Sequence, residues 1–261
     1  MRVLFFTDGV LSPGSRFRCL QFFAHLEANG IRCEARFAYD ERYNSVFAQP
    51  WAPLYKLGRR MRRVGHLLFD TDADIIFVHK TALALSGIPE WLRGLGTTPM
   101  VFDFDDAIYL GPGGVESSAR RRTFEQVAAS ADALIAGNAH LARVAGHPDK
   151  TIVIPSVVDT EAYTPLASST ASGLVIGWMG TASNFPYLRR VLPSVLNAVA
   201  RIPGARLRVV SNGTLPEYES EPLLEQWQWR AERELMALRS FDVGLMPLDD
   251  SELTRGKCGF K

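Results

Sequence analysis

The sequence has little cysteine, almost no net charge and no long apolar run at its start, and each shortage removes a class of protein. Its three cysteines, Cys19, Cys33 and Cys258, are odd in number and far apart, with no CxxC pair and no histidine at ligand spacing. This argues against a disulfide framework or a cysteine-based zinc site, and it suits a reducing cytoplasm. Lysine and arginine total 29 against 28 acidic residues, a formal charge of +1. No global field favours nucleic acid as a partner, so any anion must be recruited locally. The opening stretch, MRVLFFTDGV, has four consecutive apolar residues before Thr7 and Asp8. That is too short for a signal peptide or a membrane span and reads as a first buried strand. With 47% hydrophobic and 22% charged residues in 261, the chain can bury a substantial core in one large domain or two ordinary ones.

Short apolar runs alternate with helical patterns almost throughout. Arg2–Phe6 reads as a strand, Cys19, Phe22, Phe23 and Leu26 fall at helical spacing, and Ile31–Phe37 is a second strand. From Pro53 a helix carries Leu54, Leu57, Met61, Val64 and Leu68 on one stripe, predicted to face a core. ADIIFVH, PMVFDF, ADALIAG and KTIVIPS give four more strands, too apolar to face water on either side. This indicates a parallel sheet covered on both faces. The run ASSTASG has no periodicity, and the βα pattern then restarts at GLVIGWMG. The reading is a first unit over 1–160, a linker over 161–173 and a second unit over 174–261. The second has one strong helix, Phe185–Ile202, and about three strands when the chain stops. A doubly wound sheet normally carries more, so the expectation is an incomplete domain.

In such folds ligands gather beyond the carboxyl ends of strands. The candidate loops are Asp8–Ser15, His79–Lys80 and Asp103–Tyr109 in the first unit. In the second they are Gly180–Asn184, Ser211–Thr214 and Pro247–Lys261. Gly180–Asn184 is either a plain βα turn or, through free N–H groups at a helix start, a seat for a diphosphate. Arg255, Lys257 and Lys261 lie on a glycine-containing loop and read either as phosphate ligands or as a solvated basic end. His79 reads as a hydrogen-bonded scaffold residue or as a catalyst. Asp103, Asp105 and Asp106 suit capping and turn formation past a strand. Trp227 and Trp229 either pack in the core or stack on a base. Arg59, Arg60, Arg62 and Arg63 form either a solvated helix face or a patch drawn to anionic lipid on the inner face of the membrane.

Longer stretches carry a resemblance. GLVIGWMGTASN with YLRRVLPSVLNAV after it, and above all WRAERELMALRSFDVGLMPLDDSELTRGKCGFK, resemble the nucleotide-sugar-binding half of bacterial family 4-like glycosyltransferases of the GT-B fold. GSRFRCLQF, FDFDDAIYL, ADALIAGNAHLA and VIPSVVD resemble, in the right order, that family's acceptor-side domain. The resemblance implies two Rossmann-like domains facing across a cleft. It places Gly180, Thr181 and Lys257 at the donor diphosphate, and Gln228 and Trp229 at the base. His79 would lie beside the donor sugar, Asp106 and Asn138 on the cleft wall, and Ser15, Arg16 and Arg18 near the diphosphate or acceptor. His79 and Asp106 are then the catalytic candidates. The implied reaction moves a sugar from a nucleoside diphosphate sugar to a polysaccharide, lipid-linked or small-molecule acceptor, with retention and without metal or other cofactor. Asp103-Phe104-Asp105 looks like the metal-binding DxD of the other large glycosyltransferase fold, but the two-Rossmann pattern argues against that use. The family's two glutamates near the last helix start are replaced or fall beyond Lys261, so weak nucleotide affinity is expected. A chain cut short also leaves open an idle nucleotide-sugar-binding or interaction module, and predicts self-association through uncovered apolar surface.

Overall fold

The structure, a computed structural model, describes residues 1–40, 46, 49–70, 72–165 and 173–259. They form two units, one from Met1–Val158 together with Ser251–Phe260, the other from Asp159–Asp250. The predicted linker falls mostly on 166–172, and Lys261 at the chain's end, with Phe260, also lies outside the described residues.

The first unit is a six-stranded, wholly parallel sheet in the order β2-β1-β3-β4-β5-β6. Its strands are β1 (Arg2–Gly9), β2 (Arg32–Tyr39), β3 (Ile75–His79), β4 (Met100–Phe104), β5 (Ala133–Ala136) and β6 (Thr151–Val153). Alternation along β1 feeds two cores. Leu4 and Phe6 join Ile76, Val78, Phe102 and Phe104 on one face, while Val3 and Phe5 meet Cys19 and Cys33 on the other. The helices are α1 (Pro13–Arg18), α2 (Phe23–Ala28), α3 (Ala52–Phe69), α4 (Ile88–Gly94), α5 (Ser118–Ser130) and α6 (Ala139–Ala145).

Helix α3 departs from its sequence pattern. The stripe expected to face the core is largely turned outward, with Leu54, Leu57 and Met61 exposed, while Ala52, Arg63 and Leu67 are buried. The reason lies in the strand ends. Arg63 donates to the carbonyls of Thr7 (3.1 Å) and His79 (3.3 Å), and Arg59 to those of Ala38 (3.1 Å) and Phe37 (3.3 Å). Buried carbonyls without donors cost more than an exposed leucine, so the arginines face inward. The four arginines therefore do not form one solvated or lipid-facing patch. Arg60 and Arg62 are exposed; Arg59 and Arg63 are not.

The second unit is a four-stranded parallel sheet, β10-β7-β8-β9, built from β7 (Val175–Met179), β8 (Arg206–Ser211), β9 (Leu224–Gln228) and β10 (Val243–Gly244). Helix α7 (Phe185–Ala200) buries Leu188, Leu192, Leu196 and Val199 against Leu207 and Val209, the face its periodicity predicts. Gly177 is required here, because a Cβ would sit 2.0 Å from the Phe241 ring. A short helix α8 (Glu234–Arg239) follows β9.

The chain then leaves this unit. Helix α9 (Glu252–Arg255), capped by Ser251, belongs to the first unit, although the sequence pattern groups it with 174–261. Three anchors hold it there. Glu252 accepts from the Tyr109 hydroxyl (2.8 Å), Gly256 presses on Ala107, and Asn138 Nδ2 donates to the carbonyls of Arg255 and Lys257 (3.1 Å each).

Candidate functional site

The parallel register gathers charged groups at the carboxyl edge of β1, β3 and β4. Phe6 pairs with Val78 and His79 with Asp103, so the residues just past each pair, Asp8, Lys80 and Asp105, share one rim. Asp103 is the buried centre of this cluster. It accepts from His79 Nδ1 (2.7 Å) and from Arg18 through Nε (3.2 Å) and Nη2. Burial pushes the Asp103 carboxyl up, but the bonds from His79 and Arg18 outweigh that and hold it below the ordinary value. Arg18 also donates to the carbonyl of Ile154 (2.6 Å), which ties α1 to the far side of the sheet.

His79 is fully buried, and its Nε2 has no hydrogen-bond partner among the described residues. Asp105 Oδ1 lies 3.8 Å away and is likewise without a hydrogen bond. Helix α1 seals the ring. A Cβ on Gly14 would come within 2.4 Å of Nε2, so only glycine lets the backbone pass. Enclosed in this way, the imidazole positions Asp103 and does not itself reach solvent.

Lys80 does reach it. This residue has φ of 60°, the only positive φ at a non-glycine position among the described residues. Such a conformation costs free energy and marks a place where the surroundings dictate the backbone. Its ammonium stands 3.2 Å from Asp106, 3.7 Å from Asp105 and 4.0 Å from Asp8. Burial works against the charge, yet the carboxylates Asp105, Asp106 and Asp8 raise the Lys80 pKa above its usual value. Asp8 is pushed up by burial and pulled further down by Lys80 and Arg63, ending below the ordinary range. Arg63, 3.6 Å from Asp8, closes the ring of charge from α3. Lys80, Asp106 and Asp8 are the partly exposed members. They offer an ammonium donor flanked by two carboxylate acceptors, a set suited to hydroxyls and phosphate oxygens.

The residues singled out in the sequence divide by place. Asp106 and His79 lie in this cluster. Ser15 is buried and exchanges hydrogen bonds with the hydroxyls of Thr7 (2.6 Å) and Ser12 (2.7 Å), fixing the start of α1. Arg18 commits its guanidinium to Asp103 and the Ile154 carbonyl. Arg16 packs its guanidinium over Phe17 at 4.9 Å. Asn138 caps α6 by accepting from the Leu141 amide (2.8 Å) while its amide nitrogen clamps the terminal segment. That segment reaches the cluster itself, since the Cys258 thiol donates to the carbonyl of Asp105 (3.1 Å). Burial, helped by Asp105, pushes the Cys258 pKa up to about 12, so it stays a thiol.

In the second unit Gly180 and Thr181 form the turn after β7. Three amides of this loop already have acceptors within the protein. Gly180 N donates to the Val210 carbonyl (3.1 Å), Ala182 N to the Asn212 side chain (2.9 Å) and Asn184 N to the Thr181 carbonyl (2.9 Å). The Thr181 hydroxyl faces solvent and meets Ser183 Oγ at 2.8 Å. Lys257 belongs to the first unit, so the expected pairing of Lys257 with Gly180 and Thr181 inside one domain does not occur. Gln228 ends β9 and is exposed. Trp229 follows it, its indole N–H donating to Glu234 Oε2 (2.9 Å) at the start of α8. Trp227 takes Arg208 over its ring at 3.9 Å. Lys80, Asp8 and Asp103, which the sequence places on candidate loops without assigning them a site role, and Arg63, read there as part of a helix face, carry the strongest geometry.

No protein-family model matches the chain, and no curated protein matches its sequence. Solved structures do. The chain is similar to the sucrose-phosphate synthase of Thermosynechococcus elongatus, with 12% identity over 95% of this chain and 77% of that one and a TM-score of 0.63. A glycosyltransferase from Rickettsia africae gives 10% identity over 93% and 72%, with a TM-score of 0.61. The UDP-GlcNAc 2-epimerase of Neisseria meningitidis, bound to UDP-GlcNAc, gives 12% over 88% and 73%, with a TM-score of 0.57. The fold is thus the α/β GT-B class built of Rossmann-like units. At such identities the likeness speaks to fold alone, and the presence of an epimerase shows that the fold admits more than one reaction. Among the described residues no helix is long and apolar enough to cross a membrane.

Proposed function

We propose that the chain is a glycosyltransferase that moves a sugar from a nucleoside diphosphate sugar to a polysaccharide, lipid-linked or small-molecule acceptor, with retention and without a metal ion. The observation that carries this reading is the left-handed Lys80 at the end of β3, its ammonium set among Asp8, Asp105 and Asp106 at the carboxyl edge of a parallel sheet. The first unit provides the sugar-handling groups. Asp106 and Asp8 accept from hydroxyls, and Lys80 meets negative charge that develops as the bond to the leaving diphosphate breaks. His79 is a positioning residue that, through Asp103, fixes the rim. These carboxylates already have an ammonium as counterion, which favours a metal-free site. The second unit takes the nucleotide, with Trp229 and Gln228 beside the base and Thr181 near the phosphates. Three free thiols suit a cytoplasmic setting, where nucleotide sugars are drawn from solution.

The test uses a panel of uridine, guanosine and thymidine diphosphate sugars, followed by ligand-observed NMR for binding and by product analysis for turnover. At least one donor is expected to bind. Trp229→Ala should weaken it about tenfold, a stacking contribution. Lys80→Met should leave binding near normal and cut turnover by roughly a hundredfold or more. Turnover by Lys80→Met at the wild-type rate, or no binding of any donor, refutes the proposal. Conversion of the donor to an isomer without transfer would move the chain to the epimerase class.

A further inference from the structure

Helices α3 and α4 pack side by side in the first unit, and both are turned inside out. On α3, Leu54, Leu57 and Met61 form one stripe at helical spacing and are 73%, 55% and 58% exposed. Trp51 at its start and Phe69 at its end are exposed with them. Gly58 and Gly65, on the same side, have no neighbouring atom within 4 Å of where a Cβ would stand. On α4 the pattern repeats. Glu90 and Arg93 are buried, while Ile88, Trp91 and Leu92 are exposed. Apolar surface on this scale, on two adjacent helices, calls for a partner.

The charges identify it. Helix α3 holds Lys56, Arg59, Arg60, Arg62 and Arg63 and no acidic residue. Arg60 and Arg62 are exposed and lie on opposite borders of the apolar stripe. A second copy pairing through this face would set arginine against arginine. A bilayer with anionic headgroups gives each component its complement, with leucine and methionine below the headgroups, tryptophan at their level and arginine against the phosphates. We infer that the outward faces of α3 and α4 dock the first unit on an anionic lipid surface, independently of the reaction proposed above. The patch differs from the arginine cluster read in the sequence. Arg59 and Arg63 are internal, and the apolar stripe takes their place.

Flotation with vesicles of phosphatidylglycerol and phosphatidylcholine in equal parts, against phosphatidylcholine alone, tests this on the full chain. Binding is expected on the anionic vesicles, weakened by salt. Leu54→Ser with Leu57→Ser should lower partitioning by roughly tenfold or more, since two leucines no longer enter the lipid. Arg60→Gln with Arg62→Gln should lower it by about tenfold on anionic vesicles only. Because all four positions are exposed, the thermal melts of both variants should match wild type, which separates loss of docking from loss of folding. Equal partitioning of wild type and the leucine variant overturns the inference. So does absence of vesicle binding together with a concentration-dependent dimer that the leucine variant dissolves, an outcome that assigns the face to a second copy.

Discussion

Replacing Asp103 by asparagine takes one negative charge out of the most enclosed part of the first unit and leaves its partners in place. Arg18 and His79 are both buried, and their hydrogen bonds to Asp103 run at 3.2 Å from Arg18 Nε and 2.7 Å from His79 Nδ1, with a third from Arg18 Nη2. An amide can accept from only one of these groups and turns N–H toward another. With the amide oxygen taken by His79, Arg18 would keep the Ile154 carbonyl alone. Breaking a buried ion pair from one side costs about 3–5 kcal/mol. At roughly 2–4 °C per kcal/mol for a chain of this size, the unfolding of the first unit should fall by about 6–20 °C. Differential scanning calorimetry is the assay, with Arg18→Gln and the double variant completing a cycle. Because the double variant leaves no uncompensated charge, its cost should be well below the sum of the single costs. The sign with pH follows from the depressed carboxyl. Its contribution is present above the ordinary value of 3.8 and is lost as pH falls through the lower folded value, so Asp103→Asn should flatten the acid limb. A cost for Asp103→Asn under about 1 kcal/mol, or strict additivity, would refute the argument that this pair anchors the rim.

Two further outcomes are expected. Glu90 is buried, and burial raises its carboxyl above 4.5 while its Oε1 accepts from the Ala82 amide at 2.5 Å. Its stabilising share is complete below 4.5 and declines as pH rises toward the folded value, so Glu90→Gln should melt at or above wild type at neutral pH and lose that slope. Asn138→Ala removes the α6 cap, worth about 1 kcal/mol, and both clamps on the terminal segment. Trypsin should then cut at Arg255 and Lys257 several-fold faster; an unchanged cleavage rate would mean that α9 is held by its other contacts.

The parallel strands were legible because their residues are apolar on both faces, as in IIFVH and MVFDF, and no other element suits such runs. Strand β9 was not. LEQWQ lies at the sheet edge, where Glu225 pairs with Arg208, and its polar residues imitate a loop. Periodicity found α7, whose stripe meets the core. The same rule misplaced α3, because a moment reports which face is apolar and not which face the strand-end carbonyls need. At the candidate site, Asp106 and His79 are singled out through the resemblance; His79 ends β3 and Asp106 lies past the end of β4. Lys80 lies on a candidate loop but its role does not show there, since a positive φ leaves no mark in the sequence, and Arg18 pairs with a carboxylate far along the chain. Lys257 was drawn to the second unit by its neighbours in sequence, whereas Asn138 and Tyr109 hold its segment to the first.

The return of α9 makes the first unit discontinuous, and this orders its biosynthesis. A ribosome delivers residues 1–158 first, then all of the second unit, and only afterwards the stretch that Asn138, Ala107 and Tyr109 receive. Until then the first unit must persist with Asn138 Nδ2 and the Tyr109 hydroxyl lacking their final acceptors and the Ala107 face uncovered. The four described strands of the second unit lie in one continuous span, so that unit can close as it emerges. Maturation of the Lys80 rim, which Cys258 touches through Asp105, is thereby deferred until the second unit has been made.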